Sequence, residues 1–479
     1  MKTVNPSTTL PSLRSGLSKD TETKSKCRVN GERSRTIKFV TLGCKVNQYD
    51  TQSIRERFAN AGFKEIDNGR KADIYVINTC TVTSSADRKS RYFIHYAHRQ
   101  NPKARIIVTG CYTTLDSDEI AKIPGVTHII KNEDKNRIVE SLNGLKGHNE
   151  LNPVRSKAPE ATAAPLVRTS NGVNEQNDRG ISNFSGHTRA FLKIQDGCNN
   201  FCSYCKVPKV RGVSRSRPLN EIIREANRLV KNGFKEIVLC GICLGAYGKD
   251  LVLLMNLVDV IDALEKIDGL LRIRLSSIEA GDILEELIGK MAQSKKLCQH
   301  LHIPIQSGDD GILKKMNRNY CREDYLNLIK KIKNSIPEIA ITTDVLVGFP
   351  GEKEDNFQNT FNLIKEIVPL RVHIFPYSER SGTPAAILKD KIDPLVIKER
   401  ISQLTGISKT CALDYKTQFL NKDRDVLIEE RSKENNKYWE GYTDNYIKVL
   451  LKFYRNLKNQ LIRVRLKKIN KDCMVADFC

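Results

Sequence analysis

Three apolar runs near the start, TIKFVTLGC, ADIYVINTC and ARIIVTGC, alternate with stretches whose apolar residues recur at helical spacing. One is TQSIRERFANAG, stopped by Gly62; another is the basic SADRKSRYFIHYAHRQ. THII supplies a fourth strand. Such alternation predicts a parallel sheet covered by helices on both faces over residues 36–145. Residues 146–187 have few large apolar residues and no periodicity, as a linker should. A second alternating block follows, with strands expected in RAFLKIQDG (189–197), EIVLCG (236–241), LRIRLSS (271–277), HLHIPIQ (300–306), ITTDVLVGF (341–349) and RVHIFPYS (371–378). The intervening helices include PLNEIIREANRLVKNG, framed by Pro218 and Gly233, and CREDYLNLIKKIKNS. Six βα units over 188–415 fit a partial or full βα barrel. From residue 416 to 479 the pattern becomes short β runs, DVLIEE, YIKVLLKFY and LIRVRLKK, with GYTDN as a turn, and a small β-barrel is expected. The fold class is thus α/β with a β-rich C-terminal domain.

At 479 residues the chain exceeds what one core can bury, in keeping with about two to four domains. Residues 1–35 are polar and read as a disordered extension without a secretion signal. No apolar run reaches a membrane span, so a cytoplasmic protein without membrane association is expected. A formal charge of +23 concentrates the question on polyanions. Residues 446–471 hold nine Lys or Arg and no Asp or Glu, interleaved with apolar residues as a basic face on a folded module requires. Nucleic acid becomes the favoured partner.

Fourteen cysteines without a secretory signal point to metal binding rather than disulfides. Cys198, Cys202 and Cys205 stand close together in DGCNNFCSYCKVP, on the loop after the first strand of the second block. Cys44, Cys80 and Cys111 each close an apolar run of the first block, 36 and 31 residues apart, about one βα unit each. Ligands of such sheets gather beyond the carboxyl ends of the strands, so one edge can bring all three together. An iron–sulfur cube has four irons, and three thiolates leave one iron open for chemistry. A zinc site is the alternative for the tight group and buried structural cysteine for the spread one; zinc normally takes four ligands in paired motifs.

The tight segment resembles the radical S-adenosylmethionine (SAM) superfamily, with Tyr204 as the aromatic before the last cysteine. TLGCKVNQYDTQ, NTCTVT and TGC, with RAFLKIQDGCNNFCSYC, RGVSRSRP, HLHIPIQSGDDGILKKMNR, ITTDVLVGFPGE and HIFPYSERSGTPAA, together resemble the methylthiotransferase family over nearly all of residues 36–479. The resemblance implies two [4Fe–4S] clusters, one held by Cys198, Cys202 and Cys205 and binding SAM, the other auxiliary and held by Cys44, Cys80 and Cys111. It further implies two SAM molecules, an external electron donor, a sulfur source and, through a TRAM-like C-terminal domain, RNA. TLGCKVNQYD most resembles the branch that methylthiolates threonylcarbamoyladenosine at tRNA position 37. Other branches act on isopentenyladenosine in tRNA or on an aspartate of a ribosomal protein. A reading from another class is a non-catalytic iron–sulfur RNA-binding redox sensor.

Other features carry less. Gln306, Ser307 and Gly308 end a strand at the expected rim and are assigned to the vicinity of SAM. Cys240 and Cys243 form a CxxC that reads as a redox pair or as structural packing; His300 and His302 alternate on a strand and read as core or solvent-facing before metal ligands. GFPGE lacks the Lys and Ser/Thr of a phosphate loop and reads as a turn.

Overall fold

Runs of β-branched residues closed by Gly or a polar turn become the strands of this chain. The computed structural model describes residues 35–143 except 68, residues 154–155 and residues 180–479. The expected extension, residue 35 apart, and most of the expected linker lie outside the described residues. The N-terminal sheet contains β1 (Thr36–Thr41), β2 (Lys64–Glu65), β3 (Ile74–Thr79), β4 (Arg105–Gly110), β5 (Val126–Ile130) and β6 (Val154–Arg155), all parallel in the order β2-β1-β3-β4-β5-β6. Period-2 alternation sorts β3 onto two cores. Tyr75 and Ile77 pack with Ile94 and Ala97 of helix Ser84–Gln100, while Ile74 and Val76 pack with Ile54 and Phe58 of helix Lys45–Asn60. Asn78 is paired with both Thr41 and Thr109, so the ends of β1, β3 and β4 lie level.

The central block has β7 (Ala190–Lys193), a short antiparallel pair β8 (Gln195–Asp196) and β9 (Arg215–Ser216), then β10 (Glu236–Cys240), β11 (Arg272–Leu275), β12 (His300–His302), β13 (Ala340–Val347) and β14 (Arg371–Pro376). Two parallel sheets, β7-β10-β11 and β12-β13-β14, are joined by a parallel bridge between Ser277 and His302. The result is a six-strand arc in chain order. Among the described residues β7 does not pair with β14, so the arc keeps an open seam. Helix Lys45–Asn60 packs against β7, and its Val46 and Tyr49 join the core of the arc. Ile181 and Phe184, in the last part of the expected linker, are buried in that same core.

β12 is shorter than the run HLHIPIQ predicted. Pro304 has no N–H to offer a ladder, and Ile305 N–H instead donates to Thr343 Oγ1 at 3.1 Å.

The C-terminal strands β15 (Asp423–Arg431), β16 (Tyr438–Thr443), β17 (Lys448–Lys452), β18 (Leu461–Asn470) and β19 (Cys473–Phe478) close a barrel in the order β15-β16-β17-β19-β18. Val464 and Leu466 of β18 point inward with Val449, Leu451 and Met474, while Arg463 and Arg465 alternate outward. A register shift between Leu466 and Lys468 leaves Lys467 and Lys468 both exposed.

This small barrel docks on the arc through a buried charge network. Arg274 donates from Nε to Glu236 Oε1 at 2.6 Å and from its Nη atoms to the carbonyls of Thr443 and Asp444. Arg272 donates to the carbonyls of Asp425 and Tyr442. Tyr446, at φ 65°, lies 4.6 Å from the His300 ring and 4.7 Å under the Arg274 guanidinium. Burial alone would raise the Glu236 carboxyl, yet Arg274 and Arg189 hold it below the usual range. Stability from this group is present above the ordinary carboxylate value and is lost as pH falls through the depressed one. Arg274→Met, which removes the nearest partner of buried Glu236 and leaves it Arg272 and Arg189 only at 3.8 and 3.9 Å, is expected to destabilise the fold by about 3–5 kcal/mol. The double variant Arg274→Met/Glu236→Gln should recover part of that loss in chemical denaturation.

Candidate metal centres

The spread cysteines share one edge of the sheet because their strands end level. Cys80 and Cys111 directly follow β3 and β4, and Cys111 N–H donates to Thr79 O at 3.1 Å. Cys44 is the N-cap of helix Lys45–Asn60 and lies exposed, while Cys80 and Cys111 are buried. Two glycines permit the approach. Gly43, at φ 96°, leaves only 3.0 Å between an ideal Cβ and Cys80 Sγ, and at Gly110 (φ 105°) a Cβ would fall 2.3 Å from Thr79 O. Asn47 ties the edge together, its Nδ2 donating to Leu42 O at 2.7 Å and Thr79 O at 2.8 Å. Burial, with the neighbouring Cys111 and Cys44, pushes the Cys80 thiol up to about 11. A thiol held protonated in this way is deprotonated when a metal ion binds its sulfur and releases the proton to solvent.

The tight group sits on a loop pinned from below. Ser203 N–H donates to Met316 O and its hydroxyl to Lys315 O. Cys198 N–H donates to Gly212 O, and Gly197 (φ 75°) is needed because a Cβ would meet Val213 O at 1.9 Å. Donors point at sulfur throughout: Asn200 N–H to Cys198 Sγ at 3.4 Å, Val207 N–H to Cys205 Sγ at 3.4 Å, and Arg318 Nη1 to Cys202 Sγ at 3.2 Å. Arg318 is itself held by an ion pair with Glu279. Burial pushes Cys205 up to about 12, whereas a hydrogen bond from Cys243 brings Cys198 down to about 7. Three thiols ringed by N–H donors fit an anionic metal–sulfur group, which such donors stabilise.

The two triads are coupled by one carboxylate. Asp50, six residues after Cys44, is buried and accepts from Lys135 Nζ at 3.0 Å, Lys193 Nζ at 2.6 Å and Arg211 Nη2 at 3.3 Å. Arg211 closes helix Val207–Arg211, which follows the tight cysteines, and also binds Asp196 at 2.9 Å and Asn47 Oδ1 at 2.5 Å. On the other side, Arg380 after β14 binds Asp87 at 2.5 Å and Thr81 Oγ1 at 2.8 Å, next to Cys80. Sequence reasoning missed Asp50, Arg211, Arg318 and Arg380, since their partners lie far away in the chain; no local spacing marks them.

The remaining expected residues are placed as follows. Tyr204 packs against Ile312, Met316 and Phe349, and burial, with Cys202 close by, pushes its hydroxyl well up. Gln306 adopts φ 69° and bridges to Val345. Ser307 is buried beside Thr360, and Gly308 lies so near helix Glu354–Ile367 that a Cβ would fall 2.7 Å from Thr360 Cα. Cys240 is fully buried in β10. Cys243 donates to Asp282 Oδ2 at 3.4 Å beside Cys198 and therefore belongs to the surroundings of the tight triad. His300 and His302 both contact Thr342 Oγ1, at 3.0 and 2.9 Å.

Comparison with known proteins bears on both triads. Residues 192–364 match the Radical SAM superfamily and residues 36–131 match the Uncharacterized protein family UPF0004. The chain is 42% identical to the Threonylcarbamoyladenosine tRNA methylthiotransferase MtaB of Bacillus subtilis (strain 168), across 90% of this chain and 94% of that protein. It is 34% identical to the tRNA-2-methylthio-N(6)-dimethylallyladenosine synthase of Acetivibrio thermocellus, across 90% and 88%. Among solved structures, the radical SAM methyltransferase TsrM from Kitasatospora setae shares the fold, with a TM-score of 0.51 at 15% identity over 74% of this chain and 77% of that one.

Burial would raise the Asp50 carboxyl, but Lys135, Lys193 and Arg211 override it and hold it far below the usual range. Its contribution is therefore fully present above the ordinary carboxylate value near roughly 4 and is lost progressively as pH falls below it towards the depressed one. Asp50→Ala leaves three buried cations without their shared partner and should destabilise by about 3–5 kcal/mol. Calorimetry checks this; an unchanged transition temperature would count against the coupling.

Proposed function

Because the chain belongs to the family of radical SAM tRNA methylthiotransferases, we propose that it converts N6-threonylcarbamoyladenosine at tRNA position 37 to the 2-methylthio derivative, using two [4Fe–4S] clusters and two SAM molecules. The observation that carries this reading is the pair of three-cysteine sites locked together through Asp50 in a chain most similar, among the relatives compared above, to a protein named for threonylcarbamoyladenosine. Cys198, Cys202 and Cys205 would hold the SAM-binding cluster, with Tyr204, Gln306, Ser307 and Gly308 in its vicinity. Cys44, Cys80 and Cys111 would hold the auxiliary one. The bound groups would supply hydrogen abstraction from an unactivated carbon and a source of sulfur, chemistry that side chains lack.

The protein's own residues position and shelter. Arg318, Asn200 and Val207 donate to the thiolates of the tight triad. Gln195 Oε1 accepts from Cys243 N–H at 2.8 Å and its amide donates to Gly197 O at 2.8 Å, which fixes the loops on both flanks of Cys198. Asp50 and Arg211 set the spacing between the triads. The exposed Arg463, Arg465, Lys467 and Lys468 of β18 suit RNA phosphates. An electron donor and a sulfur source complete the reaction, which is assigned to the cytoplasm.

Anaerobic reconstitution should load about eight irons per chain and release 5′-deoxyadenosine under reduction. About four irons would refute the two-cluster reading, and absence of SAM cleavage would favour the redox sensor. Nucleoside mass spectrometry of tRNA from a strain lacking this protein should show 2-methylthio-threonylcarbamoyladenosine gone; unchanged levels overturn the substrate assignment.

Cys44→Ala should abolish methylthiolation while retaining some SAM cleavage. Full product formation by that variant would exclude Cys44 as a ligand.

A further inference from the structure

The helix that leaves the cysteine edge of the N-terminal sheet buries one face and shows the other to solvent. Helix Ser84–Gln100 is capped by Thr83, three residues after Cys80. Its first turn is tied to the segment beyond β14, where Ser84 N–H donates to Ser378 Oγ at 3.0 Å and Arg380 pairs with Asp87. From that edge its 17 residues run back along the sheet for about 25 Å. Asp87, Ser90, Ile94 and Ala97 recur at helical spacing and are buried. Arg88, Tyr92, Tyr96 and Arg99 recur at the same spacing on the opposite side.

The composition of that outer face is selective. Arg88, Lys89 and Arg99 are exposed, and among the described residues no carboxylate pairs with any of them. Asp87 is the helix's one acid and binds Arg380, so nothing on the helix offsets the three cations. Between them stand two tyrosines. Tyr92 is 55% exposed, and its ring stacks on that of Tyr96 at 6.3 Å with the planes 21° apart. The domain core takes Ile94 and Ala97 from this helix and makes no use of Tyr92. An acidic protein surface would satisfy the cations alone. Rings and charges interleaved at one-turn intervals suit a chain that alternates bases and phosphates, with unpaired bases stacking on the rings.

We propose that the outer face of helix Ser84–Gln100 is a second RNA-contact surface. An unpaired base of the tRNA stacks on Tyr92, while Arg88, Lys89 and Arg99 meet the flanking phosphates. The proposal rests on the tRNA reading and deepens it. Because the helix starts at the edge that carries Cys80 and Cys111, a loop delivered to the triads passes its first turns. The basic outer face of β18 belongs to the C-terminal barrel, so one RNA is held at two separate points and each contact raises the effective concentration for the other.

The test measures binding rather than turnover. A labelled RNA stem–loop containing position 37 is titrated with the reconstituted full-length protein, and anisotropy is read over a range of salt concentrations. Tyr92→Ala should raise Kd about tenfold with the salt slope unchanged. Tyr92→Phe, which keeps the ring, should bind as the wild type does. The triple variant Arg88→Gln/Lys89→Gln/Arg99→Gln should reduce the slope of log Kd against log salt concentration by about two. RNA-independent release of 5′-deoxyadenosine should be the same in every variant, which verifies fold and clusters. Wild-type affinity and slope in both Tyr92→Ala and the triple variant overturn the proposal and leave the tRNA reading standing. Equal losses in Tyr92→Phe and Tyr92→Ala overturn the stacking contact. If the variants weaken binding as expected but the wild type never methylthiolates threonylcarbamoyladenosine, the substrate assignment falls and the surface stands. A wild type that binds no RNA overturns both.

Discussion

Everything distinctive in this chain depends on one buried carboxylate. Asp50 collects Lys135 from its own domain, Lys193 from β7 and Arg211 from the helix after the tight cysteine loop. Desolvating four charged groups is costly, and a carboxylate with three cations recovers that cost only if each partner is held in place. Here each is: Lys193 also reaches Asp196, Arg211 binds Asp196 and Asn47, and Lys135 lies buried in a short 3-10 turn. Two three-cysteine sites on separate parts of the fold keep a fixed relation only if something rigid holds them. A geometrically demanding ion cluster sets such a separation better than an apolar contact, which tolerates sliding.

The seam in the barrel follows from the same requirement. A closed barrel would pair β7 with β14 and leave no room for the N-terminal domain. Instead helix Lys45–Asn60 lies along β7, and Arg380 beyond β14 reaches back to Asp87 and Thr81. Both lips of the opening are thus gripped by the domain that carries the spread cysteines. The base of the arc is capped by the Thr443–Tyr446 turn of the small barrel, where Glu236 meets three arginines. With that wall occupied, the C-terminal domain is fixed to the arc while the basic outer face of β18 stays exposed.

Much of this was legible in the sequence, for identifiable reasons. Strands and helices announced themselves through periodicity, and level strand ends were inferable from three cysteines spaced by one βα unit. The alternating LIRVRLKK of β18 gave its inward and outward faces at sight, except where the register shift exposes Lys467 and Lys468 together. The strand HLHIPIQ was overestimated because Pro304 withholds an N–H, a local effect hidden by a strong apolar pattern. The importance of Asp50 was not legible: its partners are 85, 143 and 161 residues away, and a lone Asp in a helix ordinarily faces solvent. Cys243 was weighed with Cys240 as a CxxC, but strand β10 buries the first and delivers only the second to Cys198.

Charge pairing inside the arc explains why so polar a lumen is stable. Glu236 is offset by Arg274, Arg272 and Arg189 and Asp50 by its three cations, while Asp344 lies 3.1 Å from His302 Nε2. Both buried carboxylates have partners within the fold, as the desolvation penalty demands. A charged side chain left outside this accounting must be near water or await a ligand. Lys45, exposed beside the exposed Cys44, meets the first condition.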